Sequence, residues 1–122
     1  IVGHLGGVFS IIEDNHIHHI NNKQNLAGAE IGGIKMHAAI DVIIRRNHFH
    51  HCTRGLWLDW QAQGTRVTQN LFHDNTLPNE ENANPEGMDG IGEDIFIEIS
   101  HGPTLVDNNV LLSDRWQRRG LR

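Results

Sequence analysis

The sequence predicts an all-β chain, a right-handed parallel β-helix of about four coils belonging to a larger domain. Two observations predict it. First, four segments align on an asparagine: Ile-Ile-Glu-Asp-Asn15-His-Ile-His-His, Ile-Ile-Arg-Arg-Asn47-His-Phe-His-His, Arg-Val-Thr-Gln-Asn70-Leu-Phe-His-Asp and Leu-Val-Asp-Asn-Asn109-Val-Leu-Leu-Ser, at spacings of 32, 23 and 39 residues. The shortest spacing suits one coil, and the longer two suit coils carrying inserted loops. Second, apolar residues recur in register with the asparagines. Ile12, Ile44, Val67 and Val106 stand three residues before them, and Ile17, Phe49, Phe72 and Leu111 stand two after. No stretch sustains a helical period. Short β-branched runs bounded by Asn, Asp and Gly read as strands. One coil cannot bury its apolar face alone, so stacked coils must share a core. The asparagines are then expected to stack at a turn, each bonding to backbone or to the next asparagine.

A second strand is expected in each complete coil: Ile31–His37, Leu56–Trp60 and Ile95–Ile99. Counting back eleven residues from the asparagines places Met36, Asp59 and Glu98 at one register. Side chains alternate faces along a strand. Leu58, Trp60, Ile97 and Ile99 are therefore expected to face the core, and Trp57, Asp59, Gln61, Phe96, Glu98 and Ser100 to face outward. The β-helix is expected over 1–114, with 77–92 an inserted loop rich in Asn, Glu, Pro and Gly. Residues 115–122 abandon the pattern and form an off-pattern tail.

Composition narrows the function. Ten basic and fifteen acidic residues give a net charge of −5, which disfavours nucleic acid. No apolar run reaches the roughly 20 residues that span a bilayer, so no membrane role is expected. The start at Ile1 shows no charged leader before an apolar segment. A single cysteine, Cys52, excludes an internal disulfide and fits a cytoplasmic setting. It occupies an apolar repeat position and reads as core.

Carboxylates at one register on adjacent coils lie roughly 5 Å apart, because neighbouring strands are about 4.7–4.9 Å apart. Retaining glycosidases need about 5–5.5 Å between their two carboxyl groups, and inverting enzymes about 6.5–9.5 Å. Close like charges resist double ionisation, which separates a nucleophile from a proton donor. Trp57 beside Asp59 offers a platform for a sugar ring. From pattern alone, solvated acids or a cation-binding face are as compatible as catalysis.

The stretches Gly-Ala-Glu30-Ile-Gly-Gly-Ile-Lys, Gly-Leu-Trp-Leu-Asp59-Trp-Gln-Ala-Gln-Gly and Glu93-Asp-Ile-Phe-Ile-Glu98-Ile-Ser-His-Gly-Pro resemble β-xylosidases of glycoside hydrolase family 120. The resemblance runs to about Asp114. It implies a β-helix with an added β-sandwich domain and a retaining, exo-acting enzyme that releases xylose from xylo-oligosaccharides. It implies Asp59 as nucleophile, Glu98 as general acid/base and Glu30 as a third active-site carboxylate. The 77–92 loop is longer than this resemblance leads one to expect. The sandwich and the other coils are absent from these 122 residues, so the isolated chain is expected to be inactive and prone to aggregate through open coil ends. Oligomerisation of the intact protein is left open.

Other groups complete the expectation. His37 and His101 lie near the carboxylates and are placed as sugar-binding residues. His18, His50 and His73 share a repeat position. A zinc site wants three or four converging ligands, and one histidine per coil spreads them into a ladder instead. No metal and no cofactor are therefore expected. Lys35 falls on an inward position, so either Gly32-Gly33 distort the strand or Lys35 reaches out to an acid. Gly87–Asp94 is not a phosphate loop, since it neither follows a strand nor opens a helix. Asp89, Glu93 and Asp94 could hold calcium, but a flexible acidic loop is the preferred reading. Two alternatives to a xylosidase are a β-helix polysaccharide lyase, which would need a basic group beside the acids, and a non-catalytic carbohydrate-binding β-helix.

Overall fold

The computed structural model describes residues 2–3, 7–22, 30–75 and 92–112. Their strands form three parallel sheets. The first holds β1 (Val2–Gly3), β4 (Ile34–His37), β7 (Leu56–Asp59) and β10 (Ile95–Glu98). The second holds β2 (Ile11–Glu13), β5 (Ile43–Arg45), β8 (Thr65–Thr68) and β11 (Thr104–Asp107). The third holds β3 (His16–His18), β6 (His48–His50), β9 (Leu71–His73) and β12 (Val110–Leu112). Each coil visits the sheets in that order, and each strand pairs only with the same strand of the next coil. No described helix is long and apolar enough to cross a membrane.

The corners are set by residues in the left-handed region. Asp14, Arg46, Gln69 and Asn108 precede the asparagines at φ 58, 54, 58 and 54°. The asparagines behind them form the expected ladder. Asn15 donates to Asn47 Oδ1 at 3.0 Å, Asn47 to Asn70 Oδ1 at 3.1 Å, and Asn70 to Asn109 Oδ1 at 2.9 Å. Asn70 also donates to Ile44 O at 3.0 Å and accepts from the Asn47 backbone N–H at 2.9 Å. Asn70 is buried, so truncation strands several polar groups. Asn70→Ala is expected to cost about 2–4 kcal/mol in chemical denaturation. A loss below about 1 kcal/mol would remove the ladder from the list of forces holding the coils in register.

The apolar lines run as the repeat predicts. Ile12, Ile44, Val67 and Val106 are successive partners, as are Ile17, Phe49, Phe72 and Leu111. Phe49 and Phe72 stack at 4.6 Å and 4°. Cys52 is buried in this core, as expected. Gly55 gives Phe72 room: a Cβ there would stand 2.5 Å from Asp94 O and 2.9 Å from the Phe72 ring.

Four expectations need correction. The strand expected to begin at Ile31 begins at Ile34. Trp60 and Ile99 do not face the core, being 54% and 64% exposed. Both have positive φ (32° and 47°), so the strand ends at the preceding carboxylate and alternation stops there. The partner of Asp59 on β4 is His37, not Met36, which pairs with Leu58. The cause is one extra residue in the turn of the next coil, where Trp60 and Gln61 both take positive φ. The 77–92 loop (apart from Gly92) and the 115–122 tail lie outside the described residues, as does Asp89. Their neighbours Glu93 and Asp94 are no flexible acidic loop. Both are buried; Glu93 accepts from Arg54 Nε at 2.8 Å, and Asp94 accepts from Asn75 at 2.7 Å.

Burial sets the pH response. Desolvation, with neighbouring imidazoles, holds His50 down at about 4 and His48 below its usual value. Unfolded histidines titrate near about 6.5, so between about 6.5 and 4 the unfolded chain binds more protons than the native one. This contribution to stability is complete above about 6.5 and is lost as pH falls to about 4. Asp94 acts the other way. Burial pushes its carboxyl up to about 6, so its contribution is present below the ordinary 3.8 and lost as pH rises to about 6. His50→Gln isolates the first effect: its denaturation midpoint should fall less between pH 7 and pH 4 than that of the parent. An equal fall would exclude His50 as a source of acid sensitivity.

Candidate active site

The first sheet carries the carboxylates. β7 and β10 pair with Asp59 opposite Glu98, the register the repeat predicts. The extra residues of the long coils fall between the third and first sheets, just ahead of β4 and β10. Their chain positions therefore border the strands that carry His37 and Glu98.

Asp59 is buried and fully engaged. Its Oδ2 accepts from Lys35 Nζ at 2.5 Å and lies 3.1 Å from His37 Nε2, and its Oδ1 accepts from the Trp60 backbone N–H at 2.7 Å. Lys35 is 1% exposed. The expected inward position of Lys35 is corrected: β4 is regular, Ile34 and Met36 face the core, and Lys35, opposite Trp57, lies on the face of Asp59 and reaches the acid. Its ammonium also lies 3.3 Å from Glu30 Oε1 and 3.4 Å from the centre of the Trp57 ring. A buried charge needs a partner, and Lys35 and Asp59 supply one another with it.

Glu30 sits on the turn before β4 with φ 68°. Its side chain is 53% exposed and its Oε2 lies 3.7 Å from His37 Nε2. Glu98 is half-buried, and no ion pair holds it among the described residues. The two central carboxyls therefore differ in kind. Asp59 is ion-paired with Lys35, whereas Glu98 has no ion pair among the described residues.

Trp57 is not an open platform. It is 5% exposed, capped by Lys35, with Arg54 4.4 Å from its ring centre and Phe96 at 5.3 Å on the next rung. The exposed aromatic at the cluster is Trp60, stacked on His37 at 5.1 Å and 14°. His101 lies exposed on the turn after Glu98; its backbone N–H bonds to Ala62 O, and no side-chain bond among the described residues joins it to the cluster. Arg54 is off the carboxylate register and is buried against Glu93. Glu30, His37 and Asp59 each bring a ligand atom within 4.8 Å of the others. Lys35 already supplies a positive charge between two of them, so a metal ion here would have to displace it.

A solenoid of parallel coils with charged residues on one outer sheet defines a class, and the comparisons agree. Residues 4–114 match the family model described as the right handed beta helix region, and the chain belongs to that family. Among solved structures it is similar to XylC, determined in complex with xylose, at 54% identity and a TM-score of 0.76. The match covers 93% of this chain and 15% of that one, so the chain spans a small part of XylC's length. No curated protein matches the chain.

Proposed function

We propose that these coils form part of the catalytic core of a retaining β-xylosidase acting on xylo-oligosaccharides, and so serve xylan degradation. The observation that carries this reading is the pairing of Asp59 with Glu98 on adjacent rungs. It is supported by 54% identity to a protein determined with xylose bound. The rung spacing of about 4.8 Å approaches the retaining separation of about 5–5.5 Å, not the inverting one.

Asp59 Oδ2 or Oδ1 attacks the anomeric carbon as Glu98 gives its proton to the departing glycosidic oxygen. The carbon–oxygen bond breaks and a glycosyl–Asp59 ester forms. Glu98, now ionised, takes a proton from water, whose oxygen attacks the same carbon and releases Asp59. Xylose leaves with its original configuration. Lys35 and His37 hold Asp59, Glu30 lies at the exposed edge of the cluster, and Trp60 supplies an apolar face there. The buried free thiol of Cys52 fits a cytoplasmic setting.

A polysaccharide lyase needs a free base beside the acids. The basic group here is Lys35, and its ammonium is enclosed by Asp59, Glu30 and Trp57. The test is turnover of xylobiose and of an aryl β-xyloside by the protein carrying these coils. Release of free xylose supports the reading. Unsaturated products would replace it with a lyase, and binding without turnover would replace it with a carbohydrate-binding β-helix.

A further inference from the structure

The third sheet carries a second cluster of side chains that the carboxylate chemistry does not use. His16 and His18 project from β3, His48 and His50 from β6, and His73 from β9, flanking Ile17, Phe49 and Phe72, which turn inward. Rings at equal register stack: His18 on His50 at 5.1 Å and His50 on His73 at 4.9 Å, both at 5°. Stacking alone would keep their nitrogens one rung apart. The nitrogens also meet diagonally across the rungs. His16 Nε2 lies 2.7 Å from His50 Nε2, and His48 Nε2 lies 2.7 Å from His73 Nε2.

One ring nitrogen each of His16, His48 and His50 lies within 4.8 Å of the other two. A tetrahedral zinc ion with bonds of 2.0–2.1 Å needs about 3.3 Å between ligand nitrogens. The His16 and His50 nitrogens stand 2.7 Å apart and all three ligand nitrogens lie within 4.8 Å, close enough for small ring movements to reach that separation. The three rings are exposed or half-buried, so small side-chain rotations suffice and an ion can enter from solvent. An outer shell is present too. His50 Nδ1 lies 2.7 Å from His51 Nδ1. A partner at Nδ1 orients the His50 ring and leaves its Nε2 facing His16.

We propose that His16, His48 and His50 form a site for one divalent transition-metal ion of the zinc class, with water completing the tetrahedron. Imidazoles select such ions over calcium or magnesium, which take oxygen ligands. The ion ties β3 to β6, and so clamps two consecutive coils on the sheet that does not carry Asp59 and Glu98.

The test uses the untagged protein carrying these coils, stripped with a chelator and titrated with Zn2+ at neutral pH by calorimetry and thermal unfolding. One ion per chain and a higher Tm with zinc are expected. His16→Gln with His50→Gln should abolish both, while its metal-free Tm shows that the variant folds. Should that variant fail to fold, the imidazole resonances of the wild-type protein decide: shifts at His16, His48 and His50 on adding zinc uphold the site, and shifts confined to other rings overturn it. Absence of stoichiometric binding overturns it as well. So does binding that survives in the His16/His50 variant and disappears in Glu30→Gln with His37→Gln, which would put the ion at the carboxylates.

Discussion

Lys35→Met is expected to destabilise the protein by about 3–5 kcal/mol and to lower kcat. Removing one member of a buried pair leaves the other as an uncompensated charge. Here that charge is Asp59, buried and otherwise held by His37 and a backbone N–H. Methionine preserves the apolar stem against Trp57 and removes the ammonium. The double variant Lys35→Met/Asp59→Asn should recover part of the stability but none of the activity, because it removes both charges together. Denaturation of the single and double variants checks this. Additive losses would mean that the 2.5 Å contact carries no coupling.

The two carboxylates should fail differently. Asp59→Gly is expected to lower kcat on an aryl β-xyloside by about 10^4-fold or more, since no ester forms without the nucleophile. Glu98→Gly should cost about 10^2–10^4-fold, and less on substrates whose leaving group needs no proton. Azide separates the roles. In Asp59→Gly it fills the place of the carboxylate and yields the α-xylosyl azide. In Glu98→Gly it intercepts the ester and yields the β-xylosyl azide. Product NMR reads the two outcomes directly. The same azide from both variants would contradict the assignment of roles.

Much of this architecture is written in the chain, and the reasons are physical. A solenoid repeats its environment every coil, so Asn15, Asn47, Asn70 and Asn109 mark the corners and the flanking apolar residues mark the core. The same logic put Asp59 opposite Glu98. It failed where a turn gained one residue: the count that reached Met36 should have reached His37. It failed again at the strand ends, where positive φ at Trp60 and Ile99 turned apolar side chains outward. Trp60 is exposed there, while Trp57 lies buried under Lys35. Lys35 looked odd only because the same miscount put it on an inward register; paired with Trp57 it lies on the outward face with Asp59. Repeat spacing also gives a histidine's rung but not the diagonal reach of its ring, so the His16–His50 contact was not legible.

The most direct test of the central claim is the configuration of the first-formed sugar. The protein carrying these coils is mixed with an aryl β-xyloside, and the anomeric proton of released xylose is followed by NMR before mutarotation. β-Xylose appearing first, with α-xylose growing in later, is the predicted result for a carboxylate pair one rung apart. α-Xylose appearing first would contradict it, because inversion requires a water between carboxyl groups held farther apart than Asp59 and Glu98 on adjacent strands.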